Sequence, residues 1–375
     1  MKTGRTLTQL AQEVDRQRTS RRDFLAPTEK LTMMNIPIDN RPMLLGLTGD
    51  DPMELTPFAP HQLAEDLGIP GRYYDRMKAE APGLLAENVN AWLRKEPRRR
   101  MVRTLDGQVR AWLSDRYRPI DNFDLLEAIL PSLGKMNVDV ASVELTETRM
   151  HLKIIMPSIS MDLAMARREA MMKAGIELHT ERPGEDVVQA AVTISNSEVG
   201  VGALTVDESI HRLICYNLAT VCRAVRKYHV GKRHGNGNGD DGFNESVQAV
   251  LSTEARVADD RAFFLKVRDV VKASLTWTRF EANALKLAGA AGDKITRPVE
   301  ELGVVLMENF GLSDLTRKSI VQRLAEGGDL TRYGLINAVT LASQDEADYD
   351  TATDLERLGG TILELPSGQW TALAA

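Results

Sequence analysis

Alternating apolar and polar positions predict a β-hairpin at residues 98–114, RRRMVRTLDGQVRAWLS. Asp106-Gly107 separates the two alternating runs, and an Asp-Gly pair supports the positive φ angles of a two-residue hairpin turn. Side chains alternate between the two faces of a strand, so this turn places Arg103 directly opposite Arg110. The face expected to pack on a core carries Val102, Thr104, Val109, Ala111 and Leu113.

The pattern elsewhere predicts helices and further strands. Helices are expected before the hairpin at 5–18, 56–67, 71–78 and 82–93, and after it at 122–130. Alternation predicts a second hairpin at 140–156 and a β region at 187–206. A long or inserted loop is expected at 158–184, with a helix at 163–174. An apolar stripe then predicts a long helix at 208–229, with Ile210, Leu213, Ile214, Leu218, Val221 and Val225 on its buried side.

The last third of the chain has an almost entirely helical pattern. The predicted helices are 245–256, 259–273, 277–290, 298–310, 314–326, 332–344 and 352–358. Taken together, these elements predict an α+β fold, with an antiparallel sheet core, flanking helices and a mostly helical C-terminal domain. The expected units are an extended N-terminal segment (1–60), the α+β core (61–230), a glycine-rich linker or loop (231–244) and the helical domain (245–375).

Composition narrows the class of protein. The chain has 375 residues, 43% of them hydrophobic, and a net charge of −6, which is typical of a globular protein and excludes a uniformly basic one. Its two cysteines, Cys215 and Cys222, form no CxxC motif and fit a reducing compartment. No signal peptide and no apolar run of membrane-spanning length is present. The expectation is a cytoplasmic protein without a membrane partner.

Positive charge is concentrated around the hairpin. Between Arg94 and Arg118 the sequence has nine Lys or Arg residues against three Asp or Glu. Arginines neutralise phosphates, and aromatic rings stack on bases, so we expect this face to bind nucleic acid. The predicted phosphate contacts are Arg99, Arg103, Arg110, Arg116 and Arg118, with Lys232 and Arg233 as an outlying contact. The predicted stacking residues are Trp112 and Tyr117. A solvated edge hairpin and a surface for an acidic protein remain alternatives.

Other groupings of reactive residues do not indicate a catalytic or metal site. Cys215, Cys222 and His229 recur every seven residues on the predicted helix, about 10 Å apart, too far to share one metal ion. Residues 195–198, Ser-Asn-Ser-Glu, are expected to form a polar turn and not a nucleophile. The carboxylates of Asp348, Asp350 and Asp354 are expected to lie at a helix N-terminus. No cofactor, metal or catalytic residue is predicted.

Long phrases of the chain resemble the phage- and plasmid-borne "domain of unknown function 932" family. The similar stretches are LGIPGRYYDRM (67–77), LLAENVNAWLR (84–94), RTLDGQVRAWLSDRYRPIDNFDLLEAILP (103–131), ISNSEVGVGALTV (194–206), LTRYGLINAVTLASQDEADYDTATDLERLGG (330–360) and LELPSGQW (363–370). The resemblance implies a gene of mobile elements, for which replication, recombination and evasion of host defence are usual roles.

The predicted order of helix, three strands and long helix is also similar to the core of the Red-beta, Erf and Rad-type single-strand annealing proteins. This similarity lies in the order of elements and carries over no motif residue. It implies a non-enzymatic, homo-oligomeric protein that holds single-stranded DNA during recombination or replication. The alternative is a protein-interaction or anti-defence oligomer that binds a host protein.

Overall fold

The computed structural model describes residues 2–36, 41–46, 52–176, 186–213, 217–227 and 253–375, and these form an α+β fold. The strands are β1 (Arg22–Pro27), β2 (Thr32–Ile36), β3 (Arg41–Leu45), β4 (Pro52–Met53), β5 (Arg99–Leu105), β6 (Gln108–Ser114), β7 (Asp139–Leu145), β8 (Met150–Asp162), β9 (Val187–Asn196), β10 (Leu204–Arg212) and β11 (Asn217–Lys227). The helices before the large sheet are α1 (Leu7–Ser20), α2 (Ala59–Asp66), α3 (Gly71–Glu80), α4 (Pro82–Lys95) and α5 (Asn122–Leu133). The later helices are α6 (Ala164–Lys173), α7 (Thr253–Ser274), α8 (Trp277–Gly289), α9 (Val299–Phe310), α10 (Asp314–Gly327), α11 (Arg332–Ala342), α12 (Tyr349–Leu363) and α13 (Ser367–Ala374).

The described strands form three antiparallel sheets. The largest is a five-stranded meander in the order β11-β10-β9-β8-β7. A second sheet has the order β1-β5-β6, and a third, of β2, β3 and β4, packs on α4. The N-terminal residues therefore supply α1 and strands of two sheets; Leu10 and Val14 of α1 lie in the same apolar core as the large sheet.

The two faces of the large sheet differ in chemistry. One face is apolar and includes Leu152, Ile154 and Val192, which belong to the main core together with α5. The opposite face is mostly polar and is covered by α12; it carries His151, Lys153, Thr193, Ser195, Asp207 and Ser209, all buried. Because both faces are covered, these strands contain few exposed positions.

The predicted hairpin is present, but its register contains a bulge. Asp106 (φ 54°) and Gly107 (φ 76°) have the positive φ angles of the predicted turn. Beyond the Thr104–Val109 pair the register shifts, and Arg103 lies opposite Ala111. The predicted Arg103–Arg110 pair is therefore wrong, since Arg110 is the extra residue of a β-bulge.

The long helix predicted at 208–229 is also wrong, because β10 and β11 occupy the described part of that range. Ile210 and Val221 are buried between layers, and a strand covered on both faces shows no alternation that distinguishes it from a helix. The order of elements behind the annealing-protein similarity accordingly differs, since a fourth and a fifth strand replace the final helix.

The helical pattern of the last third is confirmed from residue 253 onwards. Helices α7 to α12 correspond to the predictions from 259 onwards, and α13 was not predicted. Helix α6 confirms the helix expected at 163–174, while β8 extends to Asp162 in the predicted loop. The predicted linker at 231–244 and residues 245–252 lie outside the described residues.

Candidate functional site

Arg103, the centre of the predicted nucleic-acid face, lies inside the protein. Its side chain is fully buried, and Nη2 lies 2.7 Å from Asp121 and 2.9 Å from Asp23. Nη1 donates a hydrogen bond of 2.8 Å to the carbonyl oxygen of Glu198. Burial disfavours the charged guanidinium, but the neighbouring carboxylates outweigh it and raise the pKa of Arg103. Arg103 therefore holds the hairpin to three other segments and has no free surface.

The other central residues of that face are buried as well. Arg110 pairs with the Glu198 carboxylate at 3.0 Å. The Trp112 indole donates from Nε1 to Asp66 at 2.9 Å, and the Tyr117 hydroxyl donates to the carbonyl of Ser197 at 3.2 Å. The prediction of an exposed basic face is wrong for Arg103, Arg110, Trp112 and Tyr117, because the hairpin is covered where an exposed edge was expected.

The remaining charge of the hairpin region is largely balanced by acids from other elements. Arg100 pairs with Asp66 of α2, and Arg98 lies 3.3 Å from the same carboxylate. Arg118 is partly buried and pairs with Asp259 and Asp260 of α7. The positive excess in the sequence is therefore mostly a set of tertiary ion pairs that fix the hairpin against its neighbours.

Two of the predicted contact residues, Arg99 and Arg116, are exposed, while Lys232 and Arg233 lie outside the described residues. Just before β5, α4 exposes Leu84, Trp92 and Lys95 along one side, and we call these three residues the α4 stripe. The Trp92 side chain is 38% exposed, and Lys95 Nζ lies 4.4 Å above its ring centroid. Arg94 and Arg99 are also exposed, although Arg94 is two residues from Trp92 and therefore lies on another side of the helix. At Trp92 an indole and the Lys95 cation are accessible together.

A second feature, which the sequence did not indicate, is a buried polar layer between the large sheet and α12. His151 Nε2 lies 2.7 Å from Asp350, and Nδ1 lies 2.8 Å from Ser195 Oγ. Arg357 of α12 donates to Ser195 Oγ at 2.6 Å and to Asp207 at 3.0 Å. The residues of this layer lie at alternate positions of the strands and along one side of α12. They are therefore far apart in the sequence and form no short motif.

The His151 contacts have the order of a nucleophile, a base and an orienting carboxylate. A carboxylate only accepts, so Nε2 carries the proton and Nδ1 accepts from the Ser195 hydroxyl. Burial lowers the pKa of His151, which keeps the ring neutral. However, Ser195 is only 3% exposed and its oxygen already accepts from Arg357, so the serine has no open approach for a substrate. In this geometry the chain of hydrogen bonds ties the sheet to α12.

Lys153 and Glu356 form the most deeply buried ion pair of this layer. Their charged atoms lie 2.7 Å apart and neither side chain is exposed. Lys153 Nζ also lies 4.6 Å from the ring centroid of Tyr349. Burial lowers the pKa of the lysine and raises the pKa of Glu356, because the low-dielectric surroundings disfavour both charges. Such a pair specifies how α12 sits more than it adds stability.

The acidic residues near the C-terminus divide between two roles. Asp348 accepts from the Thr351 backbone N–H at 2.7 Å and caps α12, which confirms a helix N-terminal position. Asp350 also lies in the first turn of α12, as expected, but its carboxylate and that of Asp354 face the sheet. Cys222 lies exposed on β11, while Cys215 and His229 lie outside the described residues. Within the described ranges, no group of three or more His, Cys, Asp or Glu side chains could hold a metal ion.

A pocket of about 610 Å³ opens beside the polar layer, between the end of α9, the start of α10 and α12. Phe310 and Leu358 contribute apolar surface, and Glu346 and Asp354 contribute carboxylates. Its one cationic side chain, Arg357, is already engaged by Asp207, Asp354 and Ser195. The pocket therefore offers an anion no unengaged cationic group.

The comparisons with known proteins add no relative. No family model matches the chain, and neither a curated protein nor a solved structure matches it. Over the residues that the structure describes, every helix is too short or too polar to cross a membrane.

Proposed function

We propose that this protein binds single-stranded nucleic acid without catalysing a reaction, and that the end of the α4 stripe is the contact surface. The observation that carries the proposal is the exposed Trp92 indole, with the Lys95 ammonium 4.4 Å from its ring centroid and further exposed cations at Arg94 and Arg99 in the same stretch of sequence. A base stacks on the indole while the cations neutralise neighbouring phosphates. Arg99 and Arg116 are the predicted contact residues that remain exposed in the described part of the chain.

Charge and resemblance both support a local site of this kind. The chain has a net charge of −6, so a polyanion needs a confined basic patch. The resemblance to phage- and plasmid-borne proteins favours single-stranded DNA handled during recombination or replication in the cytoplasm. Homo-oligomerisation belongs to the same proposal, because repeated copies would align several α4 stripes along one strand.

The test is a fluorescence-anisotropy titration of the full chain with labelled single- and double-stranded DNA at two salt concentrations. We expect single-strand preference and weaker binding at high salt. Trp92→Ala should weaken binding by about 1–3 kcal/mol, the usual contribution of a stacking aromatic. Trp277→Ala is the matched control, because Trp277 is 48% exposed on α8, away from the α4 stripe. Equal affinities for both variants and the parent would refute this site.

A protein-interaction module is the second candidate, because the same region exposes apolar side chains. Leu84 is 56% exposed on the α4 stripe, and Tyr73 of neighbouring α3 is 48% exposed. Aromatic side chains such as Tyr73 are enriched at protein interfaces, and the buried cores of interfaces are more apolar than the rest of a protein surface. This candidate predicts a salt-insensitive complex with a host protein or a stable assembly, lost in Leu84→Asp, and no binding of either DNA.

A further inference from the structure

A row of basic side chains, made up of two cations and the neutral ring of His151, lies along β8 beneath α12. Arg149, His151 and Lys153 are alternate residues, so they lie on one face of the sheet, about 6.7 Å apart along the strand. Each faces a carboxylate of α12: Arg149 lies 3.1 Å from Asp354, His151 2.7 Å from Asp350, and Lys153 2.7 Å from Glu356.

From this pairing we propose that the β8 row is a second binding surface for single-stranded nucleic acid, which α12 covers by presenting carboxylates where phosphates would lie. The proposal takes its ligand class from the proposed function but uses a different surface. Regularly spaced N–H donors along an extended strand can follow a phosphate backbone, and neighbouring hydroxyls can donate to it. In this row Arg149 and Lys153 bring positive charge, and neutral His151 brings its Nε2–H. Thr193 and Ser195 supply such hydroxyls on the adjacent strand.

A phosphate can replace an α12 carboxylate at β8 only when the helix moves away from the sheet, and this movement also separates Leu355, Leu358 and Ile362 of α12 from the main core. Removing one member of a buried pair leaves an unpaired polar or charged group and is costly, whereas a phosphate that replaces a carboxylate keeps each donor of the row paired. In a fourth contact the charges are reversed, because α12 supplies the cation, Arg357, and the sheet supplies the carboxylate, Asp207. Asp207 also pairs with Arg223 of β11 at 3.0 Å, so it keeps a partner on the sheet when α12 moves.

The decisive variant is Asp350→Asn with Asp354→Asn, which removes two of the three covering carboxylates and leaves the fully buried Lys153–Glu356 pair intact. We expect it to bind a labelled short oligothymidylate about five- to tenfold more tightly than the parent, a usual size for coupling between a cover and a site. Hydrogen exchange of the α12 amides should become faster in the same variant. Adding Arg149→Gln to this double variant should abolish its gain in affinity for the oligonucleotide.

Two controls separate this inference from simpler effects. Glu169→Gln with Asp314→Asn makes the same change in net charge at exposed positions and should not raise affinity. The Asp350→Asn/Asp354→Asn variant is also combined with Trp92→Ala, which removes the stacking side chain of the α4 stripe. If this triple variant still binds the oligonucleotide more tightly than Trp92→Ala alone, the result supports the β8 row even if the α4 proposal fails. If the gain in affinity disappears, the effect belongs to the α4 stripe and the inference is overturned.

The inference is also overturned if the α12 amides of the Asp350→Asn/Asp354→Asn variant exchange faster but its affinity for the oligonucleotide equals that of the parent, because the uncovered row then binds no DNA. Unchanged α12 exchange overturns it as well, since the carboxylates would not hold the cover in place. Near-ultraviolet circular dichroism confirms that each variant is folded before it is titrated.

Discussion

At the scale of single residues, the buried arginines of the hairpin have a structural role. Arg103 engages Asp23, Asp121 and the backbone of Glu198 from a fully buried position. A guanidinium suits this role, because its planar fork keeps several donors in fixed directions and it stays charged when buried. The charge of such a residue satisfies neighbouring acids and is not presented to a ligand.

Arg103→Ala should therefore lower the free energy of unfolding by about 3–5 kcal/mol, the usual cost of leaving buried charges without a partner. Arg103→Lys should recover only part of this loss, because an ammonium cannot reach all the acceptors in the same geometry. Arg99→Ala is the control and should stay within about 0.5 kcal/mol of the parent, since Arg99 is exposed. Urea unfolding measures all three; equal stabilities for the two alanine variants would contradict the role of Arg103.

At the scale of elements, α12 depends on a close approach to the sheet edge. A Cβ added at Gly360 would lie 1.6 Å from the carbonyl oxygen of Thr220 on β11, which no side chain can tolerate. The glycine lets the helix reach the distance at which its polar side chains meet the sheet. The buried pairs of α12 follow from this backbone contact as much as from their own attraction.

Gly360→Ala is expected to lower the free energy of unfolding by about 1–3 kcal/mol or more, because the backbone of α12 or β11 has to move. Gly327→Ala at the end of α10 is the matched control, since its Cβ would meet no atom within 4 Å. That substitution should change stability by less than about 1 kcal/mol, in the stabilising direction. Thermal unfolding compares the two, and a stable Gly360→Ala protein would show that α12 sits farther from β11.

The same scale shows what the sequence can and cannot predict. The Asp106-Gly107 turn and the helices after residue 253 were predictable, because turn chemistry and helical periodicity are local signals. Strands β10 and β11 were not, since both of their faces are covered and Ile210 and Val221 fit a helical stripe equally well. The bulge at Arg110 and the polar layer at His151 depend on Glu198 and Asp350, partners far away in the chain.

At the scale of the whole molecule, two apolar cores meet at a polar junction. The N-terminal core contains α2, α3, α4 and the inner face of the hairpin sheet, while the main core contains the five-stranded sheet and the C-terminal helices. Between them, the Glu198 carboxylate accepts from Arg110 at 3.0 Å and from the Asn122 backbone N–H at 2.7 Å. The Glu198 carboxylate is therefore one buried link between the cores, beside the ion pair of Arg103 with Asp121 and a small apolar cluster that includes Tyr117 and Val199.

Glu198→Ala should loosen the N-terminal core more than the main core, because it leaves Arg110 and the Asn122 N–H without their buried acceptor. We expect amides of β5 and β6 to exchange as though locally destabilised by about 2–4 kcal/mol, with a smaller change in β8 and β9. Asp115→Ala, an exposed acid just after β6, is the control and should change neither sheet. Hydrogen exchange resolved by segment tests this difference. An equal acceleration in both sheets would mean that the two cores open as one cooperative unit, and Glu198 would then stabilise the whole fold instead of joining two parts.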